Sequence, residues 1–126
     1  MTYGIITVSY PRNWTEQGDT DLIELRAPNG GLITYGGPTA GTWDATSCDQ
    51  YGRAQGGEPA GQEPIKVSGI STTEYSYLDG HGAMGYEVSV YFPENGACES
   101  IVASPMGSAL DRATVEGIFG STRYHF

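Results

Sequence analysis

The last nineteen residues, Ser108 to Phe126, constrain the fold more than any other stretch of the chain. Ser108 is a helix-capping residue type, and Asp111 follows at the capping-box position. Residues at helical spacing then form a narrow apolar face: Leu110, Thr114 and Ile118. Gly117 predicts a close approach to a sheet, Gly120 is suited to end the helix, and the remaining residues alternate as in a strand. We therefore predict a capped helix followed by a terminal strand that lies inside or along a sheet.

The residues before this unit predict strands and turns. Runs rich in β-branched, aromatic or alternating residues predict strands at 3–10, 22–27, 32–35, 65–78 (bent at Gly69), 86–92 and 98–103. Asn-Gly pairs at 29–30 and 95–96 are strong hairpin signals. Along 86–92, alternation predicts a sheet with one buried face. We predict one α+β domain over residues 1–126, a mainly antiparallel sheet of about six strands with the C-terminal helix packed on it.

The charge balance restricts the classes of partner. The chain carries 15 acidic and 6 basic residues, for a net charge of −9. Phosphate backbones and anionic membranes would be repelled, so we predict no nucleic-acid partner. No apolar run reaches the length of a membrane-spanning helix. The start of the sequence lacks the basic and apolar regions of a signal peptide, so we expect either a cytoplasmic protein or one whose export signal has been removed.

The two cysteines, Cys48 and Cys98, lie far apart and belong to no metal-binding cluster. They could be two buried thiols, but we favour a disulfide because Cys48 has little else to anchor it. Such a bond would favour an oxidising compartment, extracellular or periplasmic. We predict no metal site and no cofactor.

Residues 36–63 form a long segment rich in Gly, Pro, Thr and Ala, with little periodicity. Irregular segments of this length in compact domains are often functional. A short helix around 45–51 is possible within it. Trp43 and Tyr51 lie in this segment, which we predict to be a binding surface.

The pattern resembles the PsbP-like fold family, which includes bacterial lipoproteins of the LpqN type. The features that carry the resemblance are an early strand ending in Tyr10-Pro11-Arg12-Asn13-Trp14, the hairpin 22–35, the strand pair 85–104 and the ending Ile118-Phe119-Gly120-Ser121-Thr122-Arg123-Tyr124. The sequence departs from the family at 39–64, where members often carry a clearer helix. The resemblance implies an accessory or protein-binding role, usually without catalysis, and in bacteria often export.

Two groups of side chains are candidate site residues. Asp79 and His81 combine a carboxylate and an imidazole within one turn, a pair suited to metal binding or acid–base work, although a plain hairpin turn explains them too. Aromatic residues could form a surface for a partner or a small ligand, or could simply build the sheet: Trp43, Tyr51, Tyr75, Tyr77 and Tyr91.

Three functions remain open at this point. The first is a non-enzymatic, exported binding or accessory domain that engages a protein or small ligand through residues 36–63 and the aromatic surface. The second is a small hydrolase that uses Asp79 and His81. The third is an acidic inhibitor or immunity-type protein that neutralises a basic partner.

Overall fold

The computed structural model describes residues 5–18, 23–36, 42–54 and 59–125. Its helices are α1, Ala45–Ala54, and α2, Arg112–Ser121. Its strands are β1 Ile5–Thr7, β2 Thr15–Gly18, β3 Ile23–Arg26, β4 Leu32–Gly36, β5 Gly61–Val67, β6 Ile70–Leu78, β7 Met84–Phe92, β8 Ala97–Ser104 and β9 Arg123–His125.

The described strands form a seven-stranded sheet in the order β2-β3-β4-β8-β7-β6-β5, in which every pair is antiparallel. A separate two-stranded sheet pairs β1 with β9. Helix α2 packs on the large sheet. The predicted α+β class, antiparallel sheet and C-terminal helix are confirmed.

Both predicted Asn-Gly hairpins form. In the first, Gly30 has φ +94° and its amide donates to the Ala27 carbonyl at 3.0 Å. In the second, Gly96 has φ +65°. The prediction of one long strand bent at Gly69 is wrong. Ser68 (φ +53°) and Gly69 (φ +80°) instead form a two-residue turn that joins β5 to β6 as a hairpin, because positive φ at both central residues matches the twist of paired strands.

One face of the sheet carries the main hydrophobic core. Alternation places Tyr86, Val88 and Val90 on this face, as predicted, with Phe92 partly buried against it. Helix α2 adds its own buried residues, Val115, Ile118 and Phe119. The largest fully buried apolar side chains on the strands include Leu25, Ile33, Tyr35, Val67 and Ile101.

Helix α2 begins later and ends later than the sequence predicts. Its N-cap is Asp111, whose carboxylate accepts from the Thr114 amide at 3.0 Å, rather than Ser108. Leu110 therefore precedes the helix and is buried in the core. Gly120 is not the stop either, because the helix continues to Ser121 and its C-cap is Thr122.

Two further predictions about the closing unit need correction. Gly117 is exposed, and a Cβ there would meet nothing within 4 Å, so no close approach to the sheet requires it. The terminal strand β9 does not join the large sheet. It pairs with β1, and the Tyr124 amide donates to Ser68 Oγ in the β5–β6 turn at 3.2 Å.

A charge cluster attaches the start of α2 to the sheet. The Glu74 side chain is fully buried, and Arg112 Nη2 lies 3.0 Å from its Oε1. The same Arg112 atom lies 3.2 Å from Glu63 Oε2, and its guanidinium lies over the Tyr86 ring. Burial raises the pKa of Glu74, whereas Arg112 opposes that rise. The guanidinium thus compensates a carboxylate that would otherwise be costly to bury.

Helix α1 covers the opposite face of the sheet, so the domain has three layers. The prediction of a single buried face is therefore wrong: Glu87 and Ser89, on the opposite side of β7 from the core, are 1% and 5% exposed. The segment 36–63 is also more regular than predicted. It contains α1, and its last three residues belong to β5, while residues 37–41 and 55–58 lie outside the described ranges.

Asp44 and Ser47 start α1 with a reciprocal cap. The Ser47 amide donates to Asp44 Oδ1 at 2.7 Å, and the Asp44 amide donates to Ser47 Oγ at 2.9 Å. These two bonds satisfy amides that a helix start leaves without a backbone partner. A local signal at 44–47 thus explains why a Gly-rich segment forms a helix. No helix in the described ranges is long and apolar enough to cross a membrane.

Candidate functional site

A cleft of about 620 Å³ opens at one end of the sheet. Its walls come from the β6–β7 hairpin, from β8 and from the turn that follows β8. Residues lining the cleft are Tyr77, Leu78, Asp79, Gly80, His81, Gly85, Tyr86, Glu87, Val102, Ala103, Ser104, Pro105, Met106 and Gly107. This volume lies within the range of small-molecule sites, roughly 300–1,000 Å³.

Part of the cleft lining lies on the face of the sheet that carries α1. Strand register places Tyr77 opposite Gly85 and Glu87 opposite Val102. These four residues share the face because side chains alternate along a strand. Gly85 contributes no side chain, and a Cβ there would come within 3.0 Å of the Ala103 carbonyl oxygen. A side chain at Gly85 would therefore crowd the backbone of β8.

The rim of the cleft exposes two large apolar side chains. Leu78 is 61% exposed and Met106 is 63% exposed, and they are the exposed large hydrophobic residues of the described chain. Met106 also has φ +55°, a left-handed conformation that is uncommon for a residue with a side chain. Backbone strain of this kind concentrates at functional sites. The exposed apolar surface is thus located at the cleft.

Glu87 is the buried acid of the cleft. Its side chain is 1% exposed, and Oε1 has no hydrogen-bond partner among the described residues. Burial raises the pKa of Glu87 to about 8, because the charged form loses its hydration. Burial thus favours the protonated, neutral form of this carboxyl.

Asp79 and His81 both line the cleft, but they are not joined as a catalytic pair. Asp79 Oδ1 accepts from the backbone amides of His81 and Ala83, each at 2.8 Å. These amide hydrogen bonds hold the pKa of Asp79 below its usual range. The carboxylate therefore closes the β6–β7 turn, while the His81 residue is exposed. No group of three or more metal-ligating side chains occurs in the ranges the structure describes.

Tyr75 and Tyr77 do not form an exposed aromatic surface, and that part of the prediction is wrong. They are 5% and 8% exposed and lie beneath α1. The Tyr75 hydroxyl donates to the Asp49 carboxylate at 2.8 Å, and the Tyr77 hydroxyl donates to the Arg53 carbonyl at 2.7 Å. Both tyrosines therefore attach α1 to β6, and Tyr77 continues into the cleft.

The other predicted aromatic residues lie elsewhere. Trp43, which precedes α1, packs edge-on against Tyr51 of that helix at a centroid distance of 5.7 Å. Tyr91 lines a second cavity of about 410 Å³, beside Cys48 and Asp49. The structure thus brings Tyr77, Asp79 and His81 to one cleft but separates them from Trp43, Tyr51 and Tyr91.

The predicted disulfide between Cys48 and Cys98 is present. It joins α1 to β8, and both cysteines are nearly fully buried. Helix α1, which covers this face of the sheet, is thereby fixed covalently to a central strand, next to the cavity that Tyr91 lines.

The packing of α1 on β7 depends on Gly52. A Cβ at this position would overlap Ser89 Oγ. We expect Gly52→Ala to destabilise the domain by about 1–3 kcal/mol, because the helix must move away from the strand. Urea unfolding followed by circular dichroism measures the change. Ser89→Gly in the same chain should recover most of the loss, whereas Gly117→Ala, at an open helix position, should not destabilise.

Sequence reasoning missed the residues that define the cleft: Leu78, Glu87, Val102, Pro105 and Met106. Glu87 alternates with apolar neighbours, a pattern that predicts an exposed strand residue. The sequence does not show that α1 covers that face of the sheet. Met106 follows a strand-breaking proline and looks like part of a turn. Exposure of a large apolar side chain and burial of an acidic one are properties of the tertiary structure.

Neither the family models nor the curated proteins contain a match to this chain.

Proposed function

We propose that this protein is a non-enzymatic, exported binding domain, and that the cleft at the β6–β7 end of the sheet is its ligand site. The observation that carries the proposal is an apolar cleft of about 620 Å³ with the exposed Leu78 and Met106 side chains at its rim. Sites for small ligands are mostly apolar and carry few polar groups. The ligand class that fits is a small, mainly apolar molecule.

Two further features support this assignment. The Cys48–Cys98 disulfide favours an oxidising compartment and hence export. The resemblance to the PsbP-like family implies accessory and binding roles without catalysis. The hydrolase alternative has less support, because the Asp79 carboxylate is engaged by backbone amides of its own turn.

A neutral, environment-sensitive dye tests the site. We expect Nile red to bind the native protein saturably, with increased emission, because the cleft removes it from water. Leu78→Ser combined with Met106→Ser should weaken binding at least about fivefold, since apolar area is lost from the rim. Fluorescence titration at constant ionic strength measures both.

Ala113→Ser, an exposed change on α2, is the matched control and should leave the affinity unchanged. Absence of saturable binding would contradict the proposed site. Equal affinity in the double variant would place the dye elsewhere and would also contradict it.

The net charge of −9 favours a second candidate, an inhibitor of a basic protein. Such a complex should weaken steeply with salt, because attraction between exposed charges is screened. Binding in the apolar cleft should instead depend weakly on salt, so a salt titration separates the two functions.

A further inference from the structure

Met106 is the more exposed of the two methionines that the structure describes. The sequence contains three methionines, Met1, Met84 and Met106, and Met1 lies outside the described residues. Met84, at the start of β7, is partly buried against the main hydrophobic core, whereas Met106 is 63% exposed. Oxidation of a methionine requires access to its sulfur. The two described methionines therefore differ in the property that decides which of them reacts with an oxidant.

A tight turn holds Met106 at the rim of the cleft. The Ser108 amide donates to the Pro105 carbonyl at 3.1 Å. The two residues between them have positive φ, +55° at Met106 and +88° at Gly107. Leu78, which is 61% exposed, lines the same cleft. The turn thus fixes the backbone of Met106 while its side chain stays in contact with water beside the cleft.

We propose that Met106 is a reversible oxidation site, and that its conversion to the sulfoxide by a peroxide weakens the binding of apolar ligands in the cleft. The first part stands on the exposure and position of the side chain. The second part rests on the proposed function and names a means by which that site is regulated. Methionine sulfoxide is reversible because dedicated reductases convert it back to the thioether.

The reaction needs only the thioether and a peroxide. The sulfur lone pair attacks one peroxide oxygen, the oxygen–oxygen bond breaks, and the attacked oxygen stays on the sulfur as a sulfoxide. The sulfur loses two electrons, and the other oxygen leaves as hydroxide and takes the remaining proton to become water. Cysteine thiolates would compete for the oxidant, but Cys48 and Cys98, the two cysteines of the chain, are joined in the buried disulfide.

Oxidation changes the chemistry of the rim. A thioether is apolar, whereas a sulfoxide carries a polar oxygen. The lining around Met106 includes the apolar side chains of Leu78, Val102 and Pro105. An apolar ligand in contact with Met106 would have to remove water from the sulfoxide oxygen without offering a hydrogen bond in return. The cleft of the oxidised protein therefore has a lower affinity for apolar ligands, and reduction of the sulfoxide restores it.

Peptide mass mapping tests the oxidation site and needs no ligand. The native wild type is incubated with hydrogen peroxide, and sulfoxide formation is followed in the peptides that contain Met84 and Met106. We expect Met106 to react at least about fivefold faster than Met84. In urea-unfolded protein the two rates should become similar, because the fold causes the difference. Equal rates in the native protein would overturn the site.

A Nile red titration before and after oxidation tests the effect on binding, with the peroxide removed first. We expect the affinity of the wild type to fall about threefold or more, and to recover after treatment with the two reductases that act on the two sulfoxide epimers. Met84→Leu, a volume-conserving change that keeps Met106, should show the same fall. Met106→Leu should show no change on treatment with peroxide, because leucine has no sulfur.

The outcomes separate the inference from the proposed function. If the wild type binds Nile red equally well before and after oxidation of Met106, the effect on binding is refuted while the binding site stands. If Met106→Leu loses affinity on treatment as the wild type does, the assignment to Met106 fails. If the untreated wild type does not bind the dye, the proposed function and the effect on affinity both fail, while mass mapping still decides whether Met106 is the oxidation site.

Discussion

The free energy of unfolding is expected to fall by several kcal/mol as the pH rises from 5 to 9. Two carboxyls carry most of this change, Glu87 and Glu99, which are 1% and 3% exposed. Glu74, whose pKa is also raised by burial, acts in the same direction. Burial raises the pKa of Glu87 to about 8 and that of Glu99 to about 7, from an ordinary value of 4.5. Each unit of difference corresponds to about 1.4 kcal/mol, so each group contributes on the order of 3 kcal/mol or more.

The sign of the pH effect on stability follows from which state, folded or unfolded, binds more protons. Below pH ~4.5 both carboxyls are protonated in the folded and the unfolded chain, so their contribution to stability is complete. Between that pH and their folded pKa values, the unfolded chain loses protons that the folded chain keeps. Unfolding then releases protons, so a rise in pH favours it. The loss is complete above pH ~8.

Other carboxyls act in the opposite direction at lower pH. Hydrogen bonds hold the pKa values of Asp44, Asp79 and Asp111 below their usual value of 3.8. Their stabilisation is present above that pH and is lost as the pH falls through their lowered pKa values. Maximum stability is therefore expected near pH 4–5, lower than is usual for folded domains.

Urea unfolding at a series of pH values measures the slope. Glu87→Gln and Glu99→Gln should each flatten it, stabilising the protein at pH 9 relative to the wild type and changing little at pH 4.5. The exposed Glu94→Gln is the matched control and should keep the wild-type slope. A stability that is level or rising between pH 5 and 9 would contradict the assignment.

Loss of the Cys48–Cys98 disulfide is expected to lower the free energy of unfolding by about 4 kcal/mol. The bond closes a loop with a sequence separation of 50 residues. Opening a loop of that size releases chain entropy in the unfolded state, and the loop-closure relation gives the stated magnitude. The double variant Cys48→Ala, Cys98→Ala should show the loss in urea unfolding.

The same variant provides its own control. A reducing agent should lower the stability of the wild type to near that of the double variant, and should leave the double variant unchanged. The free energy of unfolding of the double variant should fall more steeply with urea concentration than that of the oxidised wild type, because the unfolded chain exposes more surface without the crosslink. An unfolding midpoint equal to that of the oxidised wild type would show that the bond does not restrict the unfolded state.

The fold class could be predicted because local patterns agreed with it. Positions 29–30 and 95–96 required hairpins, and alternation along β7 located the core face. The start of α2 was misplaced because Ser108 and Asp111 both satisfy the rules for a cap. Only tertiary packing distinguishes them: a start at Asp111 places Val115, Ile118 and Phe119 against the sheet.

The candidate site could be predicted only in part. The sequence singled out Asp79 and His81, and both line the cleft. It did not single out Glu87, because an acid that alternates with valines is typical of a solvated strand face. Burial of the Glu87 side chain, like that of Glu74 and Glu99, is decided by the tertiary structure.

The sequence by itself determined the hairpin chemistry, the α+β class and the pair of cysteines, because turn preferences and side-chain alternation act over a few neighbouring residues. The tertiary structure alone decided that α1 covers the second face, that β9 pairs with β1, and that Leu78, Met106 and Glu87 meet in one cleft. These outcomes depend on which surfaces are buried against each other, and those surfaces are formed by residues that are distant in the sequence.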